Sequence, residues 1–393
     1  MANVIDKFKD KRILIWGYGR EGKSTEQFFL RNEITKYIEV YEGAREGIDE
    51  SRFDYIFKSP GIAAWDLSEK FTSQTEVFLE AFGDRVIGIT GTKGKSTTST
   101  MLYTVLKQCL PVDVFLLGNI GEPCLNYFEE IKDDSVVVFE MSCHQLAHNK
   151  ISPHVAVFLN IFEEHLDYYQ TMDKYFEAKT NVARHQMEDD YYFVGATVWD
   201  FDSKGKKIMV SEPLDLELKV LGEHNKLNAA FVKEIATTVY NCDETSVCNG
   251  IMNFTGLPHR LELAVEKDGV RFYDDSISTI PEATIKAVES IPNVKTVLVG
   301  GMDRNIDYTI LEKFIVDRKD VIFICMYESG RRIYDRVSQC ENVLYVATLQ
   351  AAVEEAEKLT PLGGACVLSP AAASYGYFEN FEDRGNKFKV FCQ

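Results

Sequence analysis

The feature that most limits the possible folds is the run Val86–Ser99, VIGITGTKGKSTTS. A short apolar strand, Val86–Ile89, leads into a Gly/Thr/Lys turn, and a helix opens near Ser96. Backbone N–H groups in such a turn, with the positive end of the following helix, form a cradle for a polyphosphate. Gly91, Thr92, Lys93 and Gly94 would line that cradle. Lys95 would reach the β- and γ-phosphates, and the Ser96 or Thr97 hydroxyl would bind Mg²⁺. The spacing departs from the strict G-x-x-x-x-G-K-[ST] rule, because Ile89 stands where the first Gly should be. An ordinary strand-to-helix turn with surface lysines is the plainer alternative. Against it, strand, glycines, Lys and hydroxyl all fall in the required order.

A second glycine run lies upstream. The strand Arg12–Trp16 enters Gly17-Tyr18-Gly19-Arg20-Glu21-Gly22, and a helical run Ser24–Leu30 follows. That is G-x-G-x-x-G between strand and helix, the context in which it has meaning. Further strands are expected at Tyr37–Tyr41 and Tyr55–Lys58, the latter ending in Ser59-Pro60-Gly61. No Asp ends the second strand at the ribose-binding place, although Glu42 is close, so NAD is disfavoured. A structural glycine turn and a different nucleotide ligand both remain open on these residues.

Beyond the phosphate loop, Thr97–Gln108 reads as a helix and Gly118-Asn119-Ile120-Gly121 as a Gly-bracketed turn. Val136–Phe139 is a continuous apolar run suited to a buried parallel strand, and it ends in Glu140. A carboxylate at such a strand end, beside a phosphate loop, is placed to hold Mg²⁺; a surface Glu is the alternative. Val155–Leu159 is another apolar strand. In the expected helix Met172–His185, the residues Met172, Tyr175, Phe176, Val182 and Ala183 form an apolar stripe, and Lys179 falls on it. A lysine pointing inward is costly unless it is paired or neutral, whereas a snorkelling lysine keeps its head in water. In the last third, Val270–Tyr273, Lys295–Val299, Val321–Cys325, Val343–Val346 and Ala365–Leu368 alternate with helical stretches, which argues for a parallel α/β sheet.

Length and charge bound the rest. A chain of 393 residues accommodates two to four domains. The net charge of −18 argues against general nucleic-acid binding, although a local basic cluster can still hold an anionic nucleotide. Nine scattered cysteines without C-x-x-C read as reduced cytosolic thiols. No apolar run approaches the ~20 residues of a membrane span, and MANVIDKFKDKR has no signal-peptide core. A cytoplasmic enzyme without a membrane span is expected.

The form T-G-T-x-G-K-S-T resembles the phosphate loop of the Mur ligase superfamily, whose members join amino acids to bacterial cell-wall precursors. Other stretches match that family in order along the chain. Lys58–Ile62 is similar to its K-S-P-G-I, and Glu140–Leu146 matches E-x-S-S-x-Q-L in part, with Cys143 and His144 as departures. Asn160–Asp167 resembles N-x-x-x-D/E-H-x-D, and Gly222–Ala230 resembles G-x-H-N-x-x-N-x-x-A. Ser369–Ser374 followed by Asn380–Gly385 resembles S-P-A-x-A-S…N-F-x-x-R-G of the glutamate-adding type.

The resemblance implies three α/β domains: a Rossmann-like UDP-substrate domain at 1–84, a central P-loop ATPase-like parallel sheet at 85–254, and a Rossmann-like amino-acid domain at 255–393. It implies ATP and Mg²⁺ as cofactors, with UDP-N-acetylmuramoyl-L-alanine and glutamate as substrates of a monomer. By the same match, Gly17, Gly19, Arg20, Glu21, Ser59, Pro60, Gly61 and Gln145 would bind the acceptor. Lys95, Lys179, His165 and Asn119 would be catalytic, and Asn228, Arg260 and Asp275 would join the phosphate loop in holding ATP. Ser96, Glu140, His165 and a CO₂-carbamylated Lys179 would hold metal, with Asp167 orienting the His165 loop. Thr279, Arg304, Ser374, Tyr375 and Phe381 would bind glutamate. Ile277 replaces a lysine of the family's N-D-S-K-A-T-N, so the choice between D- and L-glutamate stays open. A folylpolyglutamate-type ligase, a nucleotide-binding regulator and a dinucleotide oxidoreductase are the remaining alternatives. The first lacks the N-terminal segment and the S-P-A-A-A-S stretch. The second leaves Glu140, His165 and Lys179 without a use, and the third leaves the phosphate loop unexplained.

Overall fold

In the computed structural model, which describes residues 2–393, sixteen strands make three sheets. The chain divides into two compact units, one running to Leu216 and including Lys226–Ile251, the other formed by Glu217–Asn225 and Met252–Gln393.

The first unit holds two all-parallel sheets. Strands β1 (Ile13–Trp16), β2 (Ile38–Tyr41), β3 (Tyr55–Lys58) and β4 (Phe71–Thr72) lie in the order β2-β1-β3-β4. The chain leaves β1 to one side and returns on the other, which opens a crevice at the carboxyl end of β1. The helix after it spans Arg20–Arg31 and so begins inside the glycine run, four residues before the expected start. Gly19 is its N-cap, and the early start aims free N–H groups into the crevice.

The second sheet contains β5 (Val86–Thr90), β6 (Val114–Gly118), β7 (Val136–Glu140), β8 (Val155–Phe158), β9 (Tyr191–Gly195) and β10 (Lys206–Val210), ordered β10-β9-β8-β5-β7-β6. Strands β5, β7 and β8 are buried throughout, as their unbroken apolar runs require of strands covered on both faces. The two sheets share one core. Phe128 lies 4.8 Å from both Phe28 and Phe82, ring to ring, and Phe78 packs on Phe139 at 5.7 Å. The helix carrying Lys179 is shorter than its apolar stripe: it covers Met172–Thr180, and Val182 and Ala183 stay buried on the turn that follows. Asn181 caps it and sends its side-chain amide to Leu146 O at 2.9 Å, which draws the backbone away from the helix axis.

The second unit is one mixed sheet of β11 (Glu262–Lys267), β12 (Val270–Asp274), β13 (Val294–Val299), β14 (Ile322–Met326), β15 (Val343–Val346) and β16 (Ala365–Leu368). The order is β11-β12-β16-β13-β14-β15, parallel except that β11 and β12 form an antiparallel hairpin. That hairpin was not expected; it turns on Asp268-Gly269, both with positive φ. Insertion of β16 between β12 and β13 brings their three following loops together. Asp275 N donates to Leu368 O and Gly300 N to Pro370 O, each at 2.8 Å. Among the described residues, no helix is long and apolar enough to cross a membrane.

Candidate active site

The phosphate loop is built at the carboxyl end of β5. Gly94 caps the helix Lys95–Cys109 at φ +85°, a conformation that favours glycine, and a Cβ there would stand 2.6 Å from Asn228 Oδ1. Asn228 therefore faces the loop. In the loop, Lys95 Nζ donates to the carbonyls of Gly91 (2.9 Å) and Thr92 (3.0 Å). Burial lowers the Lys95 pKa, opposed by the charge of Glu140. Ser96 and Thr97 are half-buried at the first turn of the same helix.

Two side chains from distant segments, Lys179 and Glu140, converge on this loop, and exposed His165 stands on the segment after β8. Lys179 is 1% exposed, and its ammonium donates to Gly91 O at 2.8 Å and Thr90 Oγ1 at 3.3 Å. Burial, with Lys95 adding to it, pulls its pKa down to about 7, so an appreciable share of the amine is neutral near physiological pH. The head is not in water, which removes the snorkelling alternative. Glu140 is fully buried at the end of β7; one carboxylate oxygen accepts from Asn119 Nδ2 at 2.7 Å, and the other has no partner among the described residues. A buried carboxylate oxygen without a donor is costly unless a cation faces it. His165 sits at φ +57° just before the short helix Leu166–Tyr169, with its ring 6.0 Å from that of Tyr175.

The loop bearing His165 is stitched to the phosphate loop by contacts that sequence reasoning missed. Asn160 Oδ1 accepts from Lys93 N and its Nδ2 donates to Lys93 O, both at 2.9 Å. Phe162 N donates to Thr92 Oγ1 at 3.0 Å, and that hydroxyl lies 3.1 Å from Tyr175 OH. Asn160 begins a motif already noted, so its position was available as a signal. Tyr175 gave none beyond a place on the apolar stripe.

The acceptor-side residues line a cavity of about 580 Å³ between the loops after β1 and β3. Its walls include Gly17, Gly19, Arg20, Glu21, Ser59, Pro60 and Gly61. A Cβ on Gly22 would meet Gly17 O at 2.2 Å, whereas one on Gly19 would meet nothing within 4 Å. Gly22 thus serves helix–strand packing, and Gly19 leaves its backbone open to a ligand. Glu21 is half-buried, with its pKa raised by desolvation, and accepts from Gln145 Nε2 at 2.8 Å. Gln145 also closes a capping box with Ser142, which fixes the helix Cys143–Leu146.

In the second unit the three neighbouring loops carry the remaining residues. Met302 N donates to Ala373 O at 2.9 Å, which puts the loop of exposed Arg304 beside Ser374 and exposed Tyr375. Thr279 is half-buried on the loop after β12, where Ile277 N donates to His259 O at 3.1 Å. Arg260 is exposed. Asp275 is buried and engaged by Ser369 Oγ (2.7 Å) and Leu261 N (3.3 Å); burial lifts its pKa to about 6. In this arrangement it ties its own loops together. Phe381 uses its carbonyl to accept from Ser276 Oγ at 2.8 Å. Arg384, the arginine of N-F-x-x-R-G to which the sequence reading gave no role, is fully buried and donates to Ser276 Oγ, Ser276 O and Ala372 O at 2.7–3.0 Å, so it holds the Ser374 loop to the Thr279 loop. Its neighbour Gly385 is obligatory, because a Cβ there would lie 2.1 Å from His259 Nδ1. His259, Glu262 and Asp274 have the spacing of a metal cluster, but Lys389 Nζ already lies 2.7 Å from Glu262 and 3.8 Å from Asp274.

A phosphate loop on a parallel sheet, with a buried carboxylate and a buried lysine facing it, defines an α/β nucleotide-binding enzyme. Residues 89–198 match the Mur ligase middle domain. Two solved structures from Thermotoga maritima share the fold. One is the MurF ligase in complex with ADP (TM-score 0.52, 16% identity, 100% of this chain and 98% of that one). The other is the UDP-N-acetylmuramate-alanine ligase MurC (TM-score 0.54, 17% identity, 96% and 98%). The UDP-N-acetylmuramoylalanine–D-glutamate ligase of Aquifex aeolicus is 31% identical over 97% of this chain and 98% of its own length. The enzyme of that name from Acetivibrio thermocellus is also 31% identical, over 98% and 96%. The chain belongs to the Mur ligase family of ATP-dependent carbon–nitrogen ligases, and within it to the branch of these D-glutamate ligases.

Proposed function

We propose that this enzyme joins D-glutamate to UDP-N-acetylmuramoyl-L-alanine at the expense of ATP, in the synthesis of peptidoglycan precursors. The observation that carries the chemistry is the convergence of Lys95, Lys179 and the partnerless oxygen of Glu140 on one phosphate loop. Three functional modules, 1–84, 85–254 and 255–393, divide the labour among acceptor, ATP and amino acid. The enzyme acts as a cytoplasmic monomer.

Gly91–Gly94 and the helix N-terminus cradle the ATP phosphates, and Lys95 turns from its loop carbonyls to the β- and γ-oxygens. Asn228 and Arg260 assist there, with Asp275 at the ribose. The crevice of Gly17, Gly19, Arg20, Glu21 and Ser59–Gly61 holds the UDP part of the acceptor, and Gln145 and Asn119 steady its approach. The acceptor carboxylate takes the γ-phosphoryl group, giving an acyl phosphate and ADP. The amine of glutamate, held through its carboxylates by Thr279, Arg304, Ser374, Tyr375 and Phe381, then attacks the acyl carbon and phosphate leaves. Ser96 and Glu140 suit one Mg²⁺, and His165 with Lys179 suit a second; when bound, these ions neutralise charge on the transferring phosphoryl group. The neutral amine of Lys179 can add to CO₂, releasing a proton and becoming a carbamate anion fit for a cation.

The test is purified protein with ATP, Mg²⁺ and UDP-N-acetylmuramoyl-L-alanine, with D- or L-glutamate in separate reactions, read as ADP and product mass. Product with D-glutamate alone is expected. Product only with L-glutamate would overturn the stereochemistry, and no product from folded, ATP-binding protein would overturn the substrate.

A further inference from the structure

His144 precedes Gln145 on the helix Cys143–Leu146, and its ring lies next to that of His165. The centroids are 5.2 Å apart with an interplanar angle of 74°. With metal–nitrogen bonds of roughly 2.1 Å and ring centroids about 1.1 Å further out, two imidazoles at adjacent positions of one ion have centroids about 4.5–5.2 Å apart. The observed pair is at the wide end of that range. Its supports are rigid: Tyr168 packs edge-on at 4.4 Å, Tyr169 lies at 5.7 Å, and the capping box of Ser142 and Gln145 fixes the backbone. Nδ1 of His144 is 3.6 Å from the buried Cys143 Sγ. A proton given to that sulfur leaves the lone pair on Nε2, the pattern by which outer partners orient metal-binding histidines.

We infer that His144 is a second imidazole ligand, beside His165, of the metal ion at the Lys179 position, and that it biases this position from Mg²⁺ toward Mn²⁺. The inference rests on the metal assignment under Proposed function. Mg²⁺ prefers oxygen donors, whereas each added imidazole favours a transition ion. One ring leaves the site oxygen-dominated; two do not.

The experiment uses the whole enzyme, uniformly ¹⁵N-labelled, with unlabelled non-hydrolysable ATP analogue and Mn²⁺, read by pulsed EPR. Couplings from two protein imidazoles are expected in the wild type and from one in His144→Phe, a change that retains an aromatic ring against Tyr168. In competition titrations His144→Phe should weaken Mn²⁺ about tenfold and leave Mg²⁺ within about threefold. One imidazole coupling in both proteins would overturn the role of His144 while leaving the His165 site standing. No imidazole coupling in either would overturn the metal assignment and the inference with it.

Discussion

Replacing Lys179 with methionine should make the ligand-free protein more stable at neutral pH and abolish ligation. A free lysine holds its proton to 10.5, whereas in the fold burial lowers this to about 7. At pH 7.5, three units below the free value, giving up that proton on folding costs about 4 kcal/mol at about 1.4 kcal/mol per unit. Methionine has no such cost but forfeits the bonds to Gly91 O and Thr90 Oγ1, worth about 1 kcal/mol each. The net gain is about 2 kcal/mol. Its pH dependence is the sharper test. Between pH 7 and 10.5 the unfolded chain keeps a proton that the folded chain has lost, so wild-type stability rises with pH across that window and is flat below it. The advantage of Lys179→Met should therefore shrink by about 2 kcal/mol from pH 7.5 to 9.0, or about 4–8 °C in Tm for a unit of this size. Calorimetry in CO₂-free buffer with chelator and no nucleotide measures it. A Tm difference that stays constant from pH 7.5 to 9.0 would refute a buried lysine with a lowered pKa.

Gly94→Ala places a Cβ against Asn228 at a positive φ, which costs about 1–2 kcal/mol in the loop; nucleotide affinity by calorimetric titration should fall at least about tenfold with little loss of Tm. Arg384→Met removes a buried donor, leaves three buried acceptors unpaired and unpins the Ser374 loop. At about 1–3 kcal/mol for each unpaired acceptor, a loss of at least about 3 kcal/mol in the second unit by urea titration is expected, together with a raised KM for glutamate. Phe128→Ala empties the aromatic cluster shared by the first two sheets and should cost about 3–5 kcal/mol by the same measurement, with the second unit unaffected.

Much of the fold was legible because its signals are local. The apolar runs of β5, β7 and β8, the glycine turns and the phosphate loop are each set by a few adjacent residues, and these three strands lie within a residue of their expected limits, whereas β4, β6, β9 and β10 were not expected. Errors fell where tertiary contacts override local pattern. Asn181 ends the Lys179 helix early by bonding to Leu146, a partner 35 residues away. The β11–β12 hairpin had a readable Asp-Gly turn, but its mixed apolar and charged strands look like surface until paired.

The site divides in the same way. The sequence by itself determined which residues bear chemistry: a lysine and hydroxyls after a glycine turn, a carboxylate at a strand end, a histidine after another. Only the tertiary structure decided that Lys179 is buried against Gly91, that one oxygen of Glu140 lacks a partner, that Tyr175 reaches Thr92, and that His144 lies beside His165. These facts depend on which strands become neighbours, and therefore on burial and charge contributed by segments far apart in the chain, which no local pattern encodes.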